Sequence, residues 1–182
     1  MIFEELSLEG AYIIEPEPET DERGFFARTF CRREFSSHGL NCRVVQCSIS
    51  YNQFRGTIRG MHYQAAPFME TKLLNCIKGS LYDVIVDLRP QSITYMKWEA
   101  VILTGENRRI LYVPEGFAHG YQTLAHSSEV YYQISEYYNP DSQRGIKWDD
   151  PVLAIPWPIN NPIVSLRDQA WPYLKMGGKK LI

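Results

Sequence analysis

The stretch Tyr82-Asp-Val-Ile-Val-Asp-Leu88 decides the fold class, because its β-branched and aromatic residues follow a period of two rather than 3.6. Three stretches of the same kind follow, at residues 98–103, 109–113 and 129–134. Turn residues separate them, and none of the intervening segments is a helix long enough to connect parallel strands. The sequence therefore predicts an all-β protein, an antiparallel sandwich or barrel.

Short helices and an extended segment are predicted on either side of these strands. Residues 29–38 favour a helix of one or two turns that Gly39 ends. Residues 165–168, Ser-Leu-Arg-Asp, have the pattern of a capping box that opens a second short helix. Four prolines in residues 148–162 predict an extended wrap over the sandwich, and residues 176–180 predict a frayed tail.

Length and charge narrow the class further. The chain has 182 residues and a formal net charge of −2. We expect one domain over residues 1–182, with a core at about 21–174 and a tail at 175–182. The charge gives no basic field for nucleic acid or membrane, and no apolar run approaches the ~20 residues that cross a bilayer. Without a signal-peptide pattern or a C-x-x-C pair, the four cysteines predict reduced thiols in a cytoplasmic protein.

Two histidines lie beside glycine turns and polar neighbours. Pro114-x-Gly-x-x-His119 matches the second motif of cupin-class barrels, whose first motif normally supplies H-x-H and a glutamate for a metal. Here the first motif has His62-Tyr-Gln64, and an amide is a poor ligand for a transition metal. We expect no metal at this site.

Other side chains leave alternatives open at this point. A neutral His62 could act as a general base if a carboxylate orients its second nitrogen. Asp168 could be that carboxylate, or it could only cap the helix that Ser165 opens. One of Tyr131 and Tyr132 must point into the barrel, where a phenol could act as an acid or only pack.

No glycine-rich phosphate loop occurs in the sequence, so any nucleotide must be held by side chains. Arg23, Arg59 and Lys72 supply cations, and arginine forks suit phosphate groups. We expect these cations to converge on one mouth of the barrel.

The motifs together resemble the dTDP-4-dehydrorhamnose 3,5-epimerase family. The resemblance rests on Arg55-Gly-Thr-Ile-Arg-Gly-Met-His-Tyr-Gln64, Asp83-Val-Ile-Val-Asp-Leu-Arg89, Val113-Pro-Glu-Gly-Phe-Ala-His-Gly120 and Tyr132-Gln-Ile-Ser-Glu-Tyr-Tyr-Asn-Pro140, which occur in the family's order. It implies a cupin-like jelly roll, a homodimer without cofactor or metal, and epimerisation of a nucleotide-activated 4-keto-6-deoxyhexose at C3 and C5.

The resemblance also implies roles for individual residues. His62 would remove a proton beside the ketone, Asp168 would orient it, and Tyr132 would return a proton from the opposite face. Lys72 would stabilise the enolate oxygen, and His119 would line the same pocket. The diphosphate would be bound by Arg23 and Arg59, and the nucleotide base would stack between Phe26 and Tyr138. Phe26 is expected to come from the partner subunit.

Two positions depart from the family pattern. Arg28 replaces the usual glutamate, and Ser48 replaces an amide two residues after Gln46. The resemblance implies that these three residues lie near the nucleoside, so the nucleotide stays open. Alternatives are a single-centre epimerase on a dTDP-, CDP- or GDP-sugar, a metal-dependent cupin oxygenase and a non-catalytic sugar-nucleotide binder.

Overall fold

A computed structural model describes residues 1–174, and the tail predicted at 175–182 lies outside the described residues. Its elements, in chain order, are β1 (Ile2–Glu5), β2 (Tyr12–Glu15), β3 (Glu19–Asp21), β4 (Gly24–Phe26), α1 (Arg32–Ser37), β5 (Gln46–Asn52), β6 (Thr57–Gln64), β7 (Lys72–Lys78), β8 (Ser80–Asp87), β9 (Trp98–Thr104), β10 (Ile110–Val113), β11 (Phe117–Thr123), β12 (Ser128–Ile134), β13 (Gln143–Gly145), β14 (Ile163–Val164) and α2 (Leu166–Gln169).

Twelve of the strands form two facing sheets, and β3 and β4 form a separate two-stranded sheet. The first has the order β1-β2-β10-β7-β12-β5, and the second has the order β13-β6-β11-β8-β9 with β14 pairing to β6. The pairs within each order are antiparallel, and only the short β14 runs parallel to its neighbour. The four strands predicted from period-two stretches are present as β8, β9, β10 and β12, and the all-β, cupin-like prediction is confirmed.

Alternation along the strands divides the apolar residues among three clusters. Phe117 and Tyr121 of β11 point between the sheets, into a core that also holds Leu74 and Leu111. Ala118, one position along β11, points to the opposite face. The outer face of the second sheet is covered by Leu153, Ile155 and Trp157 of the predicted wrap, which has turns but neither helix nor strand over 148–162.

The outer face of the first sheet packs against Phe35 of α1. This helix begins at Arg32, later than predicted, and the residue before it, Cys31, has an extended backbone and forms no side-chain cap. It ends as predicted before Gly39, whose φ of +71° suits glycine. Neither α1 nor α2, the helices among residues 1–174, is long enough to cross a membrane.

Candidate active site

The chain alternates between the two sheets, so strands distant in sequence form opposite walls of one space. We call this space the cup and define it by His62, Lys72, His119 and Tyr132. His62 of β6 and His119 of β11 are directly paired across the second sheet. Because paired residues of antiparallel strands point to the same face, both imidazoles lie on the inner side.

Glycines allow the two histidine strands to approach closely. Gly60 has a φ of +135°, and a Cβ there would lie 2.5 Å from the Cα of Gly120. The register between β6 and β11 shifts next to this contact, between His119 and Tyr121. A side chain at Gly60 would therefore force apart the strands that carry both imidazoles.

His62 and Asp168 meet although 106 residues separate them in sequence. Nε2 of His62 lies 2.6 Å from Oδ1 of Asp168. The backbone N–H of Asp168 donates to Oγ of Ser165 at 3.1 Å. The Asp168 carboxylate therefore contacts His62, while the helix cap comes from Ser165, whose hydroxyl accepts the Asp168 backbone N–H.

The surroundings of Asp168 favour its ionised form. Burial by itself would raise the pKa of this carboxyl, but the hydrogen bond and charge of His62 lower it. The N–H groups of Gly60 and Trp171 also donate to the carboxylate, at 3.4 and 3.3 Å. The resulting pKa lies below the usual value, so Asp168 is an anion that can orient and polarise His62.

Tyr132 faces the cup from the opposite sheet. It packs against the inner core, whereas Tyr131 points to the other face. The Tyr132 ring stands edge-on to the His119 ring, with centroids 6.1 Å apart. Desolvation, followed by the nearby Tyr121 and Asp83, raises the pKa of Tyr132 well above its usual value, so the phenol is protonated at neutral pH.

Lys72 lies at the start of β7, buried beside the histidine strand. Its Nζ donates to the carbonyl oxygen of His62 at 3.2 Å and lies 3.0 Å from Oε1 of Glu70. Glu70 was missed by the sequence analysis. The only signal for it was its position two residues before Lys72.

Four further predicted residues lie beside the cup: Arg59, Ser48, Gln46 and Tyr138. We call the end of the cup near Tyr138 its mouth. Nε of Arg59 donates to Oδ1 of Asn52 at 2.8 Å, and its charge lowers the pKa of Tyr132 against the larger effects of burial. Ser48 is the cross-strand partner of Tyr132 and therefore points to the same face. Gln46 accepts from the backbone N–H of Tyr138 at 2.8 Å.

Gln64 replaces the second histidine of the cupin pattern, and its amide is committed to the backbone. Nε2 donates to the carbonyl oxygens of Phe68 at 2.9 Å and Tyr137 at 3.2 Å, and Oε1 accepts from the N–H of Asn139 at 2.6 Å. The side chain thus anchors the loop that carries Tyr138, a role that sequence analysis missed. Within residues 1–174, no three His, Cys, Asp or Glu side chains are grouped as metal ligands.

Three predicted residues do not lie at the cup of the same chain. Arg23, Phe26 and Arg28 lie on or beside the hairpin of β3 and β4, which pair only with each other among the described strands. Arg23 forms an ion pair with Asp21, and Arg28 lies 3.7 Å from Glu34. Phe26 is 71% exposed. An open cavity of about 500 Å³ lies along this hairpin, and none of its lining residues is a residue of the cup.

Comparisons with known proteins agree with this geometry. The model of the dTDP-4-dehydrorhamnose 3,5-epimerase family matches residues 5–176. A dTDP-4-dehydrorhamnose 3,5-epimerase from Methanothermobacter thermautotrophicus is 44% identical, over 95% of this chain and 94% of that protein. A crystal structure of such an epimerase from Bacillus anthracis, with TDP and pyrophosphate bound, has a TM-score of 0.92 and 42% identity, and covers 95% of this chain and 99% of that one.

A second kind of solved structure is also similar. A 3'-monoepimerase from Streptomyces bikiniensis, in complex with dTDP-quinovose, has a TM-score of 0.86 and 32% identity, over 92% of this chain and 85% of that one. The His119 imidazole and the Tyr132 phenol meet between the two sheets, with His62 paired beside His119, and a family model spans almost the whole described chain. From this agreement we conclude that the chain belongs to the dTDP-4-dehydrorhamnose 3,5-epimerase family, whose members are isomerases.

Proposed function

We propose that this protein epimerises a dTDP-linked 4-keto-6-deoxyhexose at C3 and C5 without a cofactor or metal. One observation carries the proposal: His62, held by Asp168, and the protonated Tyr132 stand on opposite walls of the cup. Inversion of a carbon centre requires a base on one face of the ring and an acid on the other. The cup supplies both.

The proposed step moves one proton out and one proton in. Because Nε2 of His62 is bound to Asp168, Nδ1 is the nitrogen free to take the proton beside the ketone. The electron pair of the broken C–H bond forms a C=C bond to C4, and the π electrons of the C4 carbonyl move to its oxygen. The resulting enolate oxygen is stabilised by the Lys72 ammonium. Tyr132 then protonates the carbon from the other face, and the C4 carbonyl forms again. Imidazolium and phenolate return to their starting forms by exchange with solvent.

C3 and C5 both flank the C4 ketone, so the same pair of groups can act on either carbon. The similarity to a 3'-monoepimerase favours a second candidate, an enzyme that inverts C3 alone. A single-centre enzyme would use the same base and acid but hold the sugar in one position only. The two candidates therefore differ in where solvent hydrogen enters the product.

We further propose a homodimer in which the hairpin of one subunit completes the cup of the other. One chain's cup has Arg59, Gln46, Ser48 and Tyr138 beside it, whereas the hairpin residues are exposed and their strands pair only with each other among the described strands. Arg23 and Arg59 would then bind the diphosphate from two sides. Phe26 and Tyr138 would stack on the base, and Arg28 would read its edge.

A reducing, cytoplasmic location belongs to the same proposal. The four cysteines Cys31, Cys42, Cys47 and Cys76 are all free thiols, as expected where glutathione keeps thiols reduced. The proposed partners are the nucleotide sugar and a second copy of the chain, without nucleic acid or membrane.

The test is solvent exchange followed by NMR. The protein is incubated in D₂O with 4-keto-6-deoxyglucose linked to dTDP, and in parallel to CDP and GDP. Deuterium at both C3 and C5 of the dTDP-sugar supports the proposal, deuterium at one carbon supports the single-centre alternative, and preference for CDP or GDP corrects the nucleotide. Undiminished exchange by His62→Ala would rule out the mechanism.

A further inference from the structure

Asp83 is a buried carboxylate that the proposed mechanism does not use. It is fully buried on β8, next to the histidine strand β11. Among the described residues its side chain has a single hydrogen-bond partner, Nε2 of His119, at 2.9 Å from Oδ1 and 3.1 Å from Oδ2. Burying an ionisable group with a single hydrogen-bond partner costs free energy, so this pair calls for a functional explanation.

The contact leaves one nitrogen of His119 open to the cup. His119 is itself buried, yet Nδ1 has no hydrogen-bond partner among the described residues. No described side-chain nitrogen or oxygen is both fully buried and without a partner. Nδ1 is therefore the accessible nitrogen, and the ring that carries it stands edge-on to Tyr132, across the strand pair from His62.

We propose that Asp83, acting through His119, is a positioning residue for the epimerase reaction. Its carboxylate accepts the Nε2–H of His119, which fixes both the tautomer and the rotation of the ring. In the neutral imidazole Nδ1 is then an acceptor, complementary to a hydroxyl of the sugar ring held between His62 and Tyr132.

The charged groups around this pair fit an orienting role. Burial raises the pKa of Asp83 above its usual value, and the contact with His119 and the charge of Lys72, which is paired with Glu70, act against this rise. Asp83 in turn raises the pKa of Tyr132. A purely structural carboxylate looks different: Asp150, also buried, accepts three backbone N–H groups, from Val152, Leu153 and Leu174.

The first test needs no substrate. NMR of ¹⁵N-histidine-labelled protein, at a pH where imidazoles are neutral, reports which nitrogen of His119 carries the hydrogen, with His119→Asn used for assignment. The proposal expects only the Nε2–H form in the natural protein and a mixed or reversed tautomer in Asp83→Leu. An Nδ1–H form in the natural protein would overturn it.

The second test uses the activity and rests on the proposed function. Asp83→Leu is expected to lower kcat by about 10- to 100-fold and to change dTDP affinity by less than about threefold, because the nucleotide contacts lie elsewhere. Asp83→Asn, whose amide oxygen can still accept from Nε2, is expected to recover part of kcat. Asp150→Asn is the matched control and is expected to affect unfolding temperature but not kcat.

The outcomes separate the two proposals. Unchanged kcat in Asp83→Leu, or a loss of dTDP affinity equal to the loss of kcat, would overturn the role of Asp83. If the natural protein epimerises no sugar nucleotide, the proposed function fails, and the tautomer measurement still decides whether Asp83 sets the hydrogen position on His119.

Discussion

At the scale of single residues, the backbone and the side chain of Asp168 have different partners. Its backbone N–H is capped by Ser165, and its carboxylate binds His62. A four-residue pattern in the sequence could predict the cap, because both partners lie within one helical turn. It could not predict the imidazole contact, because 106 residues separate the two side chains and only the packing of α2 against β6 brings them together.

Removing the charge of Asp168 separates its contact with His62 from the helix cap that Ser165 provides. In Asp168→Asn the backbone cap is unchanged, but the carboxylate that polarises His62 is lost, so we expect kcat to fall by about 100-fold or more. In the control Ser165→Ala the cap is lost instead, which should lower the free energy of unfolding by ~1 kcal/mol and leave kcat within a few fold. Steady-state rates and thermal unfolding of both variants check this. Equal losses of kcat would contradict it.

The pH dependence of stability follows from the lowered pKa of Asp168. A carboxyl whose pKa is lower in the folded than in the unfolded state stabilises the fold above the unfolded value, about 3.9, and loses this contribution as pH falls through the folded value. The stability difference between the natural protein and Asp168→Asn should therefore be largest near neutral pH and shrink below pH ~4. Urea unfolding at a series of pH values measures it, and a constant difference would contradict the assignment.

At the scale of elements, strand alternation explains how much of the site was predictable. Period two correctly predicted β8, β9, β10 and β12 and required one of Tyr131 and Tyr132 to face inward. It could not say which, because that depends on the register of β12 against β5 and β7. Gln64 and Asp83 were missed as positioning residues for the same reason, since their partners lie on other strands and loops.

The loop that carries Tyr138 depends on Gln64. Gln64→Leu removes three hydrogen bonds to the backbone, so we expect a stability loss of about 2–3 kcal/mol. Because the loop lies at the mouth and not at the reacting carbons, KM should rise about tenfold while kcat stays within about threefold. The control Gln169→Leu breaks one exposed contact, to the carbonyl of Val164, and should change neither. A fall in kcat alone would contradict the proposed role of Gln64.

At the scale of the whole molecule, the cup of one chain holds only part of the predicted set of binding residues. The cup carries the proposed base and acid, whereas Arg23, Phe26 and Arg28 lie on or beside the exposed β3–β4 hairpin, which pairs with no other described strand. Motif resemblance assigned these residues to one site, but a sequence does not say which copy of the chain supplies them. The hairpin's isolation from the other described strands supports a shared site.

Mixing two inactive variants tests the shared site. His62→Ala lacks the base, and Arg23→Ala with Phe26→Ala lacks the hairpin groups. If each site uses one chain's cup and the other chain's hairpin, random exchange of subunits makes half of the dimers mixed, with one intact site each, and activity should return to about a quarter of normal. Assays before and after subunit exchange measure this. Continued inactivity of confirmed mixed dimers would place hairpin and cup on the same chain.

The position of Asp168 in α2 has a consequence for heat tolerance. The helix spans only Leu166–Gln169, and one hydroxyl caps its start. Such a short helix is expected to unfold locally at lower temperatures than the two six-stranded sheets. Warming should therefore abolish activity reversibly while the two sheets stay folded. The upper temperature limit of activity is then set by the unfolding of α2.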